Sequence, residues 1–356
     1  MNALPPSRSE SSPPSGCSGG ARPASPQISV IIVNWNSKAY VRRCLHSLMA
    51  HSQGLAPEVV VVDSGSFDGC DQLLAREFPT AIFVQSSENI GFARANNLGA
   101  RHAGGRYLLF LNPDTEFIEN TVRILCDRLA SLPGAGAVGC RLLNGDRTLQ
   151  TSCVQSFPTV VNQILDSEYL RHRFPRSRLW GTAALCSERP EPAEVEALSG
   201  ACILAKRECF ESVGGFTESY FMYGEDLDFC FRLRQAGFKV FHLPETSLVH
   251  FGGGSTRRAA SNSSAALMRE SVFRFMRANR GMRAALAYRF SMVVTALVRV
   301  LLIGPMLLFG NRVVDHGSDS LRKWTAVLRW SLGLAPSTWA PPQKGGASVV
   351  VRTKPG

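Results

Sequence analysis

The 356 residues are 45% hydrophobic and 19% charged, too apolar for a disordered chain and long enough for one large domain with an appendage. The formal net charge is +11, yet residues 257–356 hold sixteen Lys and Arg against three Asp and Glu, which leaves the first 256 residues close to neutral. This division excludes a uniformly basic nucleic-acid binder and suits a catalytic body whose basic, apolar tail meets an anionic membrane surface.

Residues 1–26 are rich in Ser, Pro and Gly and lack an apolar signal core, which predicts a disordered leader. ISVIIV at 28–33 predicts a strand buried on both faces, and 40–49 a helix with Val41, Leu45 and Leu48 on one side. EVVVV at 58–62, a helix at 71–78, a strand at 81–84, a helix at 93–103 and RYLLFL at 106–111 continue the alternation. That rhythm predicts an α/β fold with a Rossmann-like, mostly parallel central sheet. Further strands are expected at 137–143 and 198–205; the Arg- and Pro-rich stretch between them, 144–196, is poorly periodic and reads as a substrate-facing insertion. A helix at 225–236 and short strands at 239–243 and 247–251 close the domain near 252–254. From 268 to 330 the pattern is helical, and arginines at 269, 274, 277, 280, 283 and 289 precede an apolar run, 292–310, that Arg299 and Pro305 interrupt. A charge at the bilayer centre is costly, so amphipathic helices lying in the membrane interface are expected rather than a span. The expected organisation is a leader (1–26), a body (27–260), membrane-associating helices (261–340) and a disordered tail (341–356). Ten cysteines without C-x-x-C spacing predict reduced core filler and a reducing compartment.

In open α/β sheets ligands bind beyond the carboxyl ends of the strands. Those positions hold Asn34, the loop Asp63-Ser64-Gly65-Ser66-Phe67-Asp68-Gly69, and Asn112-Pro113-Asp114. No G-x-G-x-x-G follows the first strand and no P-loop occurs, which removes dinucleotide-dependent dehydrogenases and P-loop NTPases. Asp63 can accept from a nucleobase N–H, although Asp and Gly here also serve a plain β-α turn. Asp114, after an apolar strand, can bind a divalent cation that also holds a diphosphate, and N-P-D is equally a common turn. Glu225-Asp226-Leu227-Asp228 opens a helix, where acidic residues favour the dipole. The preceding Tyr223-Gly224 is a backbone hinge that can turn one carboxylate into a cleft as a general base. His250 precedes three glycines, a place for a metal ligand, a phosphate contact or a structural imidazole.

Taken in order, Ser29–Asn36 (SVIIVNWN), Asp63–Gly69, Asn89–Gly99 (NIGFARANNLG), Phe110–Asp114 (FLNPD), Gly214-Gly215-Phe216 and Gly224–Asp228 (GEDLD) closely resemble the family 2 glycosyltransferases. Within them the chain is most similar to the rhamnosyltransferase-type branch, over about residues 27–256. The resemblance implies a GT-A fold, a nucleotide-diphospho-sugar donor, Mg2+ or Mn2+, and inversion at the anomeric carbon. By matching motif, Asp63 contacts the donor base and Arg94 and Asn96 line the donor pocket, with Asn34, Ser66, Asp68, Gly91 and Asn112 completing it. Asp114 and His250 ligate the metal, Asp226 deprotonates the acceptor hydroxyl and Glu225 places the acceptor. Asn112-Pro113-Asp114 stands where the family has Asp-x-Asp, so the cation is expected to bind chiefly together with the donor diphosphate. A Q-x-x-R-W motif is missing, which argues for one sugar per encounter rather than processive synthesis. The implied donor is dTDP-rhamnose, and the acceptor a polyprenyl-diphosphate-linked saccharide at the cytoplasmic face of the membrane, in cell-surface polysaccharide synthesis. Competing readings are transfer of another hexose to a protein or soluble glycan, and a non-catalytic sugar-nucleotide or glycan-binding scaffold. The catalytic reading requires Asp63, Asp114 and Asp226 to converge on one cavity.

Overall fold

The computed structural model describes residues 27–186, 191–252, 261–308, 317–334 and 348–352; the expected leader, the end of the apolar run and most of the expected tail lie outside them. Four strands, β1 (Ile28–Asn34), β2 (Glu58–Ser64), β3 (Ile82–Ser86) and β4 (Tyr107–Leu111), alternate with α1 (Lys38–Ala50), α2 (Cys70–Glu77) and α3 (Phe92–His102). Every residue of β1 and β4 is buried, as their unbroken apolar runs require of strands covered on both faces. β1 pairs in parallel with β2 and β4, and β2 with β3. The order β3-β2-β1-β4 reverses the direction of winding at β1, and a crevice opens at the carboxyl ends there.

The chain continues through β5 (Thr115–Phe117), α4 (Thr121–Ser131), β6 (Ala135–Leu143), β7 (Val154–Gln155), α5 (Val160–Ile164), α6 (Glu168–Arg173), β8 (Ala193–Glu194) and β9 (Ala197–Leu198). It then forms β10 (Cys202–Lys206), α7 (Arg207–Ser212), α8 (Glu225–Gln235) and β11 (Lys239–His250). β10 runs antiparallel to both β4 and β6, so the mostly parallel expectation holds for the first four strands and gives way to a mixed sheet beyond them. No crossover helix carries the chain back before β10; it enters where β4 ends, with Cys202 opposite Leu111. The loop preceding β10 therefore joins the same rim as the loop following β4. The two short strands expected at 239–243 and 247–251 are one strand, β11, whose register against β6 shifts between Leu243 and Ser247, at the bulge that Pro244 imposes. β11 also pairs antiparallel with β5, setting His250 opposite Thr115.

The C-terminal helices are α9 (Ser261–Arg280), α10 (Met282–Leu308) and α11 (Gly317–Ser331). A domain boundary at 260 does not describe them. Phe275 of α9 is fully buried in the main core, its ring centroid 6.0 Å from Phe157 and 5.4 Å from Phe231. α10 turns Ala285, Tyr288, Met292 and Ala296 inward and leaves Leu286, Phe290, Val294, Leu297 and Leu301 exposed. Its segment Met282–Leu302 is the one described helix long and apolar enough to cross a membrane. Of the three arginines within it, Arg283, Arg289 and Arg299, Arg299 lies with its guanidinium 4.3 Å from the Trp324 ring centroid on α11. The expected disordered tail is corrected at 348–352: β12 (Val349–Arg352) pairs antiparallel with the edge of β3, because three successive valines supply a β-branched edge strand. Nine described cysteines are free, and eight of them are buried, as core filler should be.

Candidate active site

A cavity of about 620 Å3 opens at the carboxyl ends of β1, β2 and β4, bounded by the 144–196 insertion, the start of α8 and the first half of α9. Gly91, Asn112, Asp114, Glu225, Asp226 and His250 all line it, so six residues separated by up to 159 positions share one hollow. The insertion contributes Gln155, Asn162 and Trp180 to the wall, so this aperiodic stretch faces the cavity.

At the β4 end, Asp114 and His250 meet because β11 finishes beside β5. His250 Nε2 lies 3.3 Å from Asp114 Oδ1 and 3.3 Å from Asn112 Nδ2. Gln150 fixes the ring: its Nε2 donates to the His250 carbonyl at 2.6 Å, so its Oε1, 2.9 Å from Nδ1, must accept the Nδ1 proton. A neutral imidazole of that tautomer presents the Nε2 lone pair toward the Asp114 carboxylate, and two facing acceptors suit a cation between them. Among the described residues no three His, Cys, Asp or Glu side chains gather as a cation cage, so such an ion would depend on ligand oxygens as well.

At the α8 end, Tyr223 (φ 71°) and Gly224 (φ 84°) are both left-handed. Glycine suits the second, since a Cβ there would stand 3.2 Å from Ser271 Cβ on α9; Tyr223 holds a conformation that bulky residues rarely adopt. The hinge carries Glu225 and Asp226 to the cavity wall, as the sequence predicted. Asp226 Oδ2 accepts from the Gly200 N–H at 2.9 Å and from Gln155 Nε2 at 3.2 Å, and Oδ1 accepts from its own helix at Leu227 N–H. Burial raises the Asp226 carboxyl above its ordinary range, and these hydrogen bonds oppose the rise. Glu225 is 5% exposed, and its Oε2 has no partner among the described residues. Burial, then the adjacent Asp226 charge, pushes it up to about 8. Glu225 therefore holds its proton at neutral pH beside the Asp226 carboxyl. Asp228, two residues on, braces the fold instead. It accepts from Thr217 Oγ1 at 2.6 Å and Arg232 Nε at 2.7 Å and ties α8 to the Gly214-Gly215-Phe216 loop.

The β2 rim departs from expectation. Asp63 is 1% exposed and accepts four hydrogen bonds: Asn34 Nδ2 (2.7 Å), Ser66 N–H (2.7 Å), Ser66 Oγ (2.7 Å) and Gln85 Nε2 (3.0 Å). A carboxylate offers about four lone-pair sites, so while this knot stands none is left for a nucleobase N–H. Asn34 also donates to Ser66 and Asp68, and Asp68 accepts from the backbone N–H groups of Lys38 and Cys70. Asp63, Ser66 and Asp68 are not among the residues that line the cavity, which here are Val33, Trp35 and Ser64. Arg94 and Asn96 do not reach it: Arg94 Nε lies 3.7 Å from Glu218 Oε2, and Asn96 Nδ2 donates back to the Phe92 carbonyl. The neighbour on α3 that sequence reasoning passed over, Asn97, both donates to the Phe216 carbonyl and accepts from the Phe216 N–H. Gly91 (φ 78°) is required where it stands, because a Cβ would lie 2.4 Å from the Phe221 carbonyl oxygen.

Comparison with known proteins gives two family matches, the glycosyl transferase family 2 over residues 29–186 and the N-terminal domain of galactosyltransferase over 186–252. The N-acetylglucosaminyl-diphospho-decaprenol L-rhamnosyltransferase of Mycobacterium tuberculosis is 30% identical over 250 residues, 67% of this chain and 80% of that protein. The rhamnosyltransferase WbbL of Escherichia coli is 24% identical over 241 residues, 64% and 84% of the two chains. Among solved structures, a mannosyltransferase from Pyrobaculum calidifontis, in complex with GDP-Man and Mn2+, superposes with a TM-score of 0.55 at 18% identity over 87% of each chain, which supports the GT-A fold.

Proposed function

Because this chain belongs to glycosyl transferase family 2 and is a hexosyltransferase, we propose that it moves rhamnose from dTDP-rhamnose to a polyprenyl-diphosphate-linked saccharide in cell-surface polysaccharide synthesis. The observation that carries this reading is the shared cavity that Asp114, His250 and Asp226 all line. Asp226, its carboxylate oriented by Gly200 and Gln155, takes the proton of the acceptor hydroxyl as that oxygen attacks the anomeric carbon. Glu225, still protonated near neutrality, donates a hydrogen bond that holds the acceptor ring. Attack from the side opposite the leaving diphosphate inverts the anomeric centre in one displacement. Asp114 and His250 would hold Mg2+ or Mn2+, with Gln150 keeping the imidazole in its ligating tautomer. Such an ion supplies charge neutralisation for the departing nucleoside diphosphate.

The lipid-linked acceptor is supported by the mycobacterial relative, whose name specifies a decaprenyl-diphospho-sugar substrate. It is supported too by the exposed apolar face of α10 beside a strongly basic tail, a pairing that suits the anionic cytoplasmic leaflet. The test is transfer of radiolabelled sugar from a panel of nucleotide sugars to a synthetic prenyl-diphospho-GlcNAc, with Mg2+ or Mn2+. Labelled lipid product formed fastest from dTDP-rhamnose supports the reading; product only on protein or free glycan acceptors overturns it.

A further inference from the structure

The same cavity is also lined by positively charged groups that the transfer step does not use. Arg269 of α9, its side chain 6% exposed, has Nη2 3.7 Å from Asp166 Oδ2 and donates from Nη1 to Gln163 Oε1 at 3.2 Å. Arg171 of α6 donates to the other oxygen of the same Asp166 at 2.9 Å. Arg299 of α10 stacks on Trp324 close enough to feel both charges: burial, then Arg269, lowers its pKa, and Asp166 opposes this. The neighbouring Glu270 does not neutralise the group, since it accepts from Arg274 Nε at 2.9 Å and from Trp330 Nε1 at 3.0 Å. Three guanidiniums thus surround one carboxylate in a largely buried setting. Buried charge is ordinarily balanced, and among the described residues this cluster has a surplus of positive charge at the cavity wall, which both Arg171 and Arg269 line.

The same cavity is lined by the acidic Asp114 and Asp226, so its wall carries charge of both signs. α10, which carries Arg299, also carries the exposed apolar row from Leu286 to Leu301. A molecule that is in turn sugar, diphosphate and hydrocarbon matches this sequence of surfaces. We propose that Arg171 and Arg269 bind the diphosphate of the lipid-linked acceptor, leaving its sugar at Asp226 and its chain toward α10. This rests on the acceptor class proposed above and adds the residues that recognise it. Planar guanidiniums supply paired N–H donors that fit phosphate oxygens, and both are positioned to exchange Asp166 for the ligand.

The test uses the full chain, wild type and the Arg171→Gln, Arg269→Gln and Arg269→Lys variants, with farnesyl diphosphate as a binding probe measured by calorimetry. Loss of a charge-assisted contact predicts roughly tenfold or greater weakening in both Gln variants, with partial recovery in Arg269→Lys. Arg171 is the more exposed of the two, so its variant keeps the test open should Arg269→Gln fail to fold. In kinetics, KM for farnesyl-diphospho-GlcNAc rises by a similar factor, while KM for a farnesyl glycoside lacking the diphosphate stays within about twofold. Equal changes on both acceptors, or farnesyl diphosphate binding that the Arg171→Gln variant leaves unaltered, overturn the proposal. A rise in KM for the sugar nucleotide instead assigns the cluster to the donor and also overturns it. Arginine-dependent binding of farnesyl diphosphate without transfer to the diphospho-sugar would instead count against the proposed acceptor class.

Discussion

At the β2 rim of the cavity, Asp63 is buried and both its oxygens are filled by donors from Asn34, Ser66 and Gln85. At the α8 rim, Glu225 is buried to a similar depth, yet one of its oxygens has no partner among the described residues and its carboxyl holds a proton to about pH 8. The contrast separates frame from reaction surface. A satisfied carboxylate is rigid and contributes shape; an incompletely satisfied one costs stability and retains the capacity to bind something else. Asp228 sharpens the point, because it shares a helix turn with Asp226 yet is bound to Arg232 and Thr217 and belongs with Asp63 in kind.

Breaking the frame should have the largest effect on folding. Asp63→Ala strands Ser66 N–H and removes the bond that anchors Asn34, so unfolding free energy should fall by roughly 3–5 kcal/mol in chemical denaturation. A fall below about 1 kcal/mol would mean that the knot is not structural. The next effect lies on the other rim and has the opposite sign. Glu225 ionises near 4.5 when unfolded and near 8 when folded, so its contribution to stability is full below pH 4.5 and is lost as pH rises through 8. Glu225→Gln removes that loss and should be more stable than wild type at pH 9 by roughly 2–4 kcal/mol. Wild type should lose transfer rate above about pH 8 and the same variant should not; a shared decline would remove the hydrogen-bonding role given to the protonated acid. Smaller still is the effect of Phe290→Asp with Leu301→Asp on α10, where both side chains are 70% exposed. Sedimentation with anionic vesicles should show binding reduced by about tenfold or more, without change in melting temperature.

The parallel half of the sheet was legible because β1, β2 and β4 are unbroken apolar runs that little else can accommodate. The acidic end of α8 was legible through Tyr223-Gly224, a hinge that local backbone chemistry explains. The hydrogen-bond knot on Asp63 was not legible for a reason of register: its donors Asn34 and Gln85 stand directly opposite it on the two flanking strands, and strand register is not written in any one segment. Gln150, Gln155 and Gly200 went unseen because they act across 100, 71 and 26 residues on His250 and Asp226, the two glutamines from a segment without periodicity. Arg299 read as an interruption of an apolar helix, whereas its charge is turned inward to Trp324 and toward Arg269. α4 is a plain omission, since Val122, Leu125, Cys126 and Leu129 are buried at helical spacing.

The division between the rims rests most heavily on Asp226, and the initial rate of sugar transfer by Asp226→Asn at saturating donor tests it directly. With melting temperature and donor affinity near those of wild type, the rate should fall by about 10^2- to 10^4-fold, the range expected on removing a general base. A variant that binds donor and transfers sugar at the wild-type rate would contradict the assignment of the α8 rim to chemistry.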